Sequence, residues 1–294
     1  MKLLIVAFDA VGPESAFGED APPIFKTLTE TYLHGSLKST RLPHTWPANL
    51  AVYEGVDSSD DFVSVINMGT FSWNEANHPT IFDILTEAGV KMGLINLPLS
   101  DPFIPYNQFV IAHNTMLSPG LIKHHPYAVL MGLNYRGDIL NELGVDAYVK
   151  LRHRGLEALR ISKEFAVSKV DVFETLCDKW EVDLGFIYFD FTDRIAHIIK
   201  RNNPAVKPMM LLCGDLLSTL ISTLKPEHVL VFSDHGWGFF GDEMPGPGLH
   251  HPTGFYIYTG KEDSEKEATI LDLAPTILRE FNIEPPSYME GKPL

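Results

Sequence analysis

"VLVFSDHGWG", residues Val229–Gly238, decides how the fold is read. Four apolar residues run into Ser233, and then Asp234 and His235 stand side by side before Gly236. A continuous apolar run of this kind suits a strand buried on both faces of a parallel sheet. In such sheets ligands bind beyond the carboxyl ends of the strands. An acid and a histidine at that point are therefore candidate ligands. "KLLIVAF" (Lys2–Phe8) and "LGFIYF" (Leu184–Phe189) share the pattern. The first ends in Asp9, and the second is followed by Asp190 and Asp193. Three acids gathered at one sheet edge repel one another unless cations lie between them.

Helical patterns separate these runs. Pro22–Gly35 and His78–Gly89 each carry Pro near the start and Gly at the end, the usual asymmetry of a helix. Gly155–Trp180 and Met209–Leu224 read as amphipathic helices. Ala268–Ile283 reads as a helix interrupted or started late by Pro275. "VKMGLINL" (Val90–Leu97) reads as a further strand. Strands alternating with helices predict an α/β fold, a doubly wound and mainly parallel sheet flanked by helices. One catalytic domain is expected over residues 1–294. Residues 98–150, rich in Pro, His, Tyr and Asn, fit the alternation less well. They read as an insertion or cap beside the active site, or equally as a long irregular surface excursion.

Composition narrows the function classes. The chain has 294 residues, 45% of them hydrophobic, enough for a sizeable core. The net charge of −15 argues against nonspecific nucleic-acid binding, because a net anion repels phosphates. It leaves room for a small phosphorylated substrate held by a local cation. The two cysteines, Cys177 and Cys213, form no C-x-x-C pair, so neither a disulfide framework nor a cysteine zinc site is expected. "MKLLIVAFDA" imitates a signal peptide, but its apolar run stops at Asp9 and no small-residue cleavage site follows. No uninterrupted apolar stretch approaches the roughly 20 residues needed to span a bilayer. A cytoplasmic protein with no membrane contact is the expectation.

Histidines extend the candidate site. "FTDRIAH" sets Asp193 and His197 one helical turn apart on the same face, within reach of one ion. "GPGLHHPTG" places His250 and His251 in a Gly/Pro-rich loop. Imidazole nitrogens with carboxylate oxygens suit zinc or manganese. In "TRLPHTWPANLAVYEG" (Thr40–Gly55), two prolines frame Thr45 and an apolar helical pattern begins after it. A hydroxyl at a helix start is usually an N-cap. The same place is an anion site, where a threonine becomes a nucleophile if a metal lowers its pKa.

Together these segments resemble the alkaline phosphatase superfamily, in the branch of type I phosphodiesterases and nucleotide pyrophosphatases. The order matches from end to end: the strand ending in Asp9, "PHTWP", "TDRIAH", "SDHGWG" and "HHPTG". "ILDLAPTIL" and "PPSYMEGKPL" resemble the closing helix and ending of that family. The resemblance implies two divalent metal ions, zinc foremost, with manganese and magnesium as alternatives. One would be held by Asp9, Thr45, Asp234 and His235, the other by Asp193, His197 and His250. His250 is preferred to His251 because the family's ligand histidine stands four residues before a glycine, here Gly254. Thr45 would be the nucleophile. Asn67 stands where this branch often has an asparagine donating to the phosphoryl oxygen. The chain departs from the family at "AVGPES" after Asp9 and at Glu54–Gly55 after the nucleophile segment. The implied activity is a phosphoric ester hydrolase, a phosphodiesterase or nucleotide pyrophosphatase acting on a nucleotide or other small phosphodiester. A phosphomonoesterase and a catalytically silent metal- or nucleotide-binding protein are the rivals.

Overall fold

A computed structural model describes residues 1–60, 76–100, 108–111, 155–197, 199–238 and 250–294. Strand β1 (Leu3–Phe8) is buried throughout and sits near the middle of the sheet. Short helices α1 (Pro13–Phe17) and α2 (Pro23–Thr29) follow, each with proline in its first turn. The chain then turns into β2 (Tyr32–Lys38). The helix expected over residues 22–35 therefore ends at Thr29. Its second half is a strand with alternating burial, held by pairing to distant segments that a local pattern does not reveal. Gly35 is not a helix end but a point of close approach, where a Cβ would meet the Lys266 carbonyl oxygen at 2.1 Å.

Helix α3 (Thr45–Glu54) stops at Gly55, which takes a left-handed φ of 73°. Helix α4 (Ile81–Glu87) starts at a reciprocal Thr80–Asp83 capping box. Strands β3 (Met92–Ile95) and β4 (Gln108–Ile111) come next. The long helix α5 (Gly155–Trp180) leads to β5 (Leu184–Phe189), α6 (Phe191–Ala196) and α7 (Val206–Leu224). Strands β6 (His228–Phe232), β7 (Thr253–Glu262) and β8 (Ala268–Thr269) follow. A single 3₁₀ turn, Ile270–Asp272, then leads into α8 (Leu273–Glu280). Pro275 thus lies in the first turn of α8, where a missing N–H costs nothing.

Among the described residues the sheet has eight strands in the order β4-β3-β5-β1-β6-β7-β2-β8. Strand β7 runs antiparallel to both neighbours, and the other pairings are parallel. Alternate residues of β1 feed two cores. Leu4, Val6 and Phe8 join residues of α2, α5 and α7 on one face. Leu3, Ile5 and Ala7 join residues of α3, α4 and α8 on the other. This is the expected doubly wound α/β architecture. By length and composition α7 is apolar enough to cross a membrane. In the fold its apolar side, including Met209, Cys213, Leu216 and Leu220, packs into the core.

Within residues 98–150, Gln108–Ile111 joins the sheet as its edge strand β4, paired with β3. The rest of that range, apart from 98–100, lies outside the described residues.

Candidate active site

Strands β5, β1 and β6 lie side by side and run the same way. Their carboxyl ends therefore deliver Asp193, Asp9 and Asp234 to one edge, as the sequence predicted. The chain leaves β1 sharply, with Ala10 at φ 58°. Left-handed alanine costs about 1 kcal/mol or more, and the bend brings the Ala10 N–H to 3.5 Å from Asp234 Oδ1. Ser233 fastens the turn after β6 by accepting from the Val11 N–H at 2.7 Å and donating to the His235 carbonyl at 2.8 Å.

Two clusters form at this edge, Asp9–Asp234–His235 and Asp193–His197–His250, each with ligand atoms within 4.8 Å of one another. They adjoin, for the rings of His235 and His250 stack with centroids 4.0 Å apart. Thr45 Oγ1 lies 3.4 Å from Asp9 Oδ1 and 3.2 Å from His235 Nε2. The structure therefore brings together all seven described residues of the expected set. The helix cap is His44, whose side chain accepts from the Trp46 N–H, while Thr45 is the first helical residue. Burial lowers the His44 pKa to about 4, with the neighbouring His250 adding to the effect.

The donor set fits cations. His250 Nδ1 contacts the Pro43 carbonyl at 3.1 Å, and His235 Nδ1 contacts the Gly236 carbonyl at 3.1 Å. A carbonyl only accepts, so both Nδ1 atoms carry hydrogen and a neutral ring then turns a lone pair of Nε2 into the site. His235 Nε2 faces Asp9 Oδ1 at 3.3 Å. His250 Nε2 faces Asp193 Oδ1 at 3.3 Å and His197 Nε2 at 2.9 Å. Acceptors facing acceptors at these distances need positive charge between them.

Protons supply that charge where no ion does. Burial, then the Asp234 and Asp193 charges, push the Asp9 carboxyl well above the ordinary carboxylate range. Asp234 is pushed up to about 7, mainly by burial. Burial also acts to raise Asp193, but hydrogen bonds and charge from His197 and His250 outweigh it and hold Asp193 well below that range. Asp193 in turn raises His197. Burial pushes His235 well down, so that ring stays neutral, as a ligand must be.

Other residues were not legible as part of the site. Asn49 lies one turn after Thr45, and its Nδ2 reaches Asp234 Oδ2 at 2.7 Å and the Thr45 carbonyl at 2.8 Å. Tyr188, a polar tip inside the β5 run, donates to Asp234 Oδ2 at 3.1 Å. Thr192 donates to the Asp9 carbonyl at 2.5 Å. Their only sequence signal is a polar residue at an apolar position. Asp190 stands apart from both clusters, paired with Lys169 at 3.2 Å and Arg194 at 2.7 Å. His251 is exposed and accepts the Gly236 N–H through its backbone. Asn67 lies outside the described residues.

Residues 42–243 match the family model of type I phosphodiesterases / nucleotide pyrophosphatases. The chain belongs to that family. The match spans Thr45, Asp193, His197, Asp234 and His235, while Asp9 and His250 flank it. This family member is thus a hydrolase of phosphoric esters in the metal-dependent alkaline phosphatase superfamily. No curated protein matches the chain. Among solved structures, human ectonucleotide pyrophosphatase / phosphodiesterase 5 is similar at 13% identity and a TM-score of 0.62, over 100% of this chain and 97% of that one. An inactive variant of the murine protein, in complex with AMP, is similar at 12% identity and a TM-score of 0.61, over 97% and 96% of the two chains. A phosphonate monoester hydrolase from Silicibacter pomeroyi is similar at 13% identity and a TM-score of 0.63, over 100% and 75%. At these identities the likeness is one of fold.

Proposed function

We propose that the chain is a two-ion phosphodiesterase or nucleotide pyrophosphatase in which Thr45 is the nucleophile. The observation that carries this reading is the position of Thr45 Oγ1, at the start of α3 and within 3.5 Å of both Asp9 and His235. Asp9, Asp234, His235 and Thr45 would hold one divalent ion, and Asp193, His197 and His250 the other. When bound, such ions lower the pKa of a coordinated hydroxyl and neutralise phosphoryl charge.

Thr45 Oγ1 attacks phosphorus in line, and the bond to the leaving oxygen breaks on the opposite side. The phosphoryl group is then esterified to Thr45. A water attacks that ester from the vacated side, which frees the phosphate product and restores the hydroxyl. The nucleotide class of substrate rests on the family's name and on the AMP bound by the murine relative. We assign Asn67 to the phosphoryl oxygen, residues 98–150 to substrate choice, and residues 1–294 to a single catalytic domain.

The test is side-by-side hydrolysis of an aryl phosphate monoester and diester in zinc, manganese and magnesium. Faster turnover of the diester, lost on chelation and restored by one of the ions, is expected. Faster monoester turnover would make the protein a phosphomonoesterase. No turnover of either would leave a silent binding protein.

A further inference from the structure

We infer that Asn49 is a positioning residue that couples the nucleophile helix to the carboxylate of Asp234, with Tyr188 as its partner on that carboxylate. The inference rests on the two-ion reading above.

Asn49 and Asp234 are wholly buried. The Asn49 amide nitrogen donates to Asp234 Oδ2 at 2.7 Å and to the Thr45 carbonyl at 2.8 Å. These acceptors fix the amide orientation, since the flipped amide would turn its oxygen toward a carboxylate and a carbonyl. Tyr188 adds a second donor to the same Oδ2 at 3.1 Å. Asp234 Oδ2 is also the oxygen that lies 3.7 Å from His235 Nε2. Two neutral donors thus hold one oxygen of this carboxylate. Hydrogen-bonded carboxylates of this kind bind a metal in a fixed orientation.

The two donors differ in what else they touch. The second bond of Asn49 goes to the backbone of Thr45. Asn49 therefore sets both the carboxylate and the first turn of α3, where Thr45 Oγ1 points at Asp9 and His235. Tyr188 comes from β5, so its bond to Asp234 ties that strand to the end of β6. Tyr188 Oη also lies 3.4 Å from the Asn49 amide nitrogen and hydrogen-bonds Asp9. Removing it therefore loosens the carboxylates of one ion site, whereas removing the Asn49 amide also cuts the bond to the Thr45 backbone.

The experiment titrates the metal-free full chain with zinc by calorimetry, for the native protein, Asn49→Ala and Tyr188→Phe. Circular dichroism and melting temperature serve as folding controls. Tyr188→Phe removes one oxygen and keeps the ring, so it remains informative if Asn49→Ala does not fold. Each variant should still bind two ions, with one of them weakened about 10- to 100-fold and the other unchanged. Turnover lost in Tyr188→Phe should return as zinc is raised, while Asn49→Ala should keep a kcat deficit at saturating zinc. Native affinity at both sites in a folded variant overturns the inference and leaves the two-ion reading intact. A native chain that binds no ion overturns that reading, and this inference with it.

Discussion

Thr45 begins its helix rather than capping it, and that places its hydroxyl beside Asp9 and His235 instead of on the backbone. His44 takes the cap, so removing the Thr45 hydroxyl does not carry the usual capping cost of about 1 kcal/mol. Thr45→Ala should lose turnover by several powers of ten while keeping its melting temperature and the other six ligands. Thr45→Ser should retain part of the activity. A chiral thiophosphate diester hydrolysed in labelled water should show retained configuration, because two in-line displacements each invert phosphorus. Net inversion would rule out the phosphothreonine. Asp234 carries a second prediction. Its folded pKa of about 7 stands above that of an unfolded carboxyl, near 4. The folded ion-free chain therefore holds this proton more tightly than the unfolded chain. That stabilising contribution is full below about pH 4 and is lost as pH rises through about 7, by up to about 1.4 kcal/mol per pH unit. Ion-free Asp234→Asn should lose less stability between pH 4 and pH 7 than the native chain in parallel denaturant melts, and with ions restored the variant should turn over far more slowly than the native protein. Equal slopes would contradict a proton held on Asp234 chiefly by burial.

At the scale of elements, α6 and its C-cap carry two candidate ligands, Asp193 and His197, in little more than one turn, and the helix is too short to hold itself. Asp190 anchors it. The carboxylate lies at the end of β5, with Lys169 from α5 on one oxygen and Arg194 from α6 on the other. Lys169 and Asp190 are both buried. Removing one partner of a buried pair leaves an uncompensated charge and costs about 3–5 kcal/mol. Asp190→Ala should therefore destabilise the protein by that order in a urea melt. Its effect on zinc affinity should fall on the Asp193–His197–His250 site. A change under 1 kcal/mol would mean that the core alone holds α6.

In the molecule as a whole, three carboxyl groups, Asp9, Asp193 and Asp234, meet at one sheet edge, and the hydrophobic cores on both faces hold them there. The cores supply the stability that the acidic edge withdraws. Ions that bind the folded chain alone should stabilise it by mass action, about 2.7 kcal/mol per site at about 100 times Kd. Chelation should lower the melting temperature and zinc should restore it. A melting temperature indifferent to both would argue against ion sites at this edge.

The apolar runs by themselves determined β1, β5 and β6, because a strand buried on both faces needs uninterrupted hydrophobic residues. The acids and histidines that follow them were legible as candidate ligands, because acids gathered at one sheet edge repel one another unless cations lie between them. The full candidate set of seven came from the family resemblance that the motif order carries. The sequence did not reveal β2, whose residues look helical until β7 and β8 pair with them. Nor did it show Asn49 and Tyr188 converging on one carboxylate oxygen from 185 and 46 residues away. Strand order decides such contacts. Placing β5, β1 and β6 side by side sets which carboxylates repel, and which distant donors reach them. Only the assembled sheet holds that information, because hydrogen-bond partners far apart in the chain leave no periodicity in it.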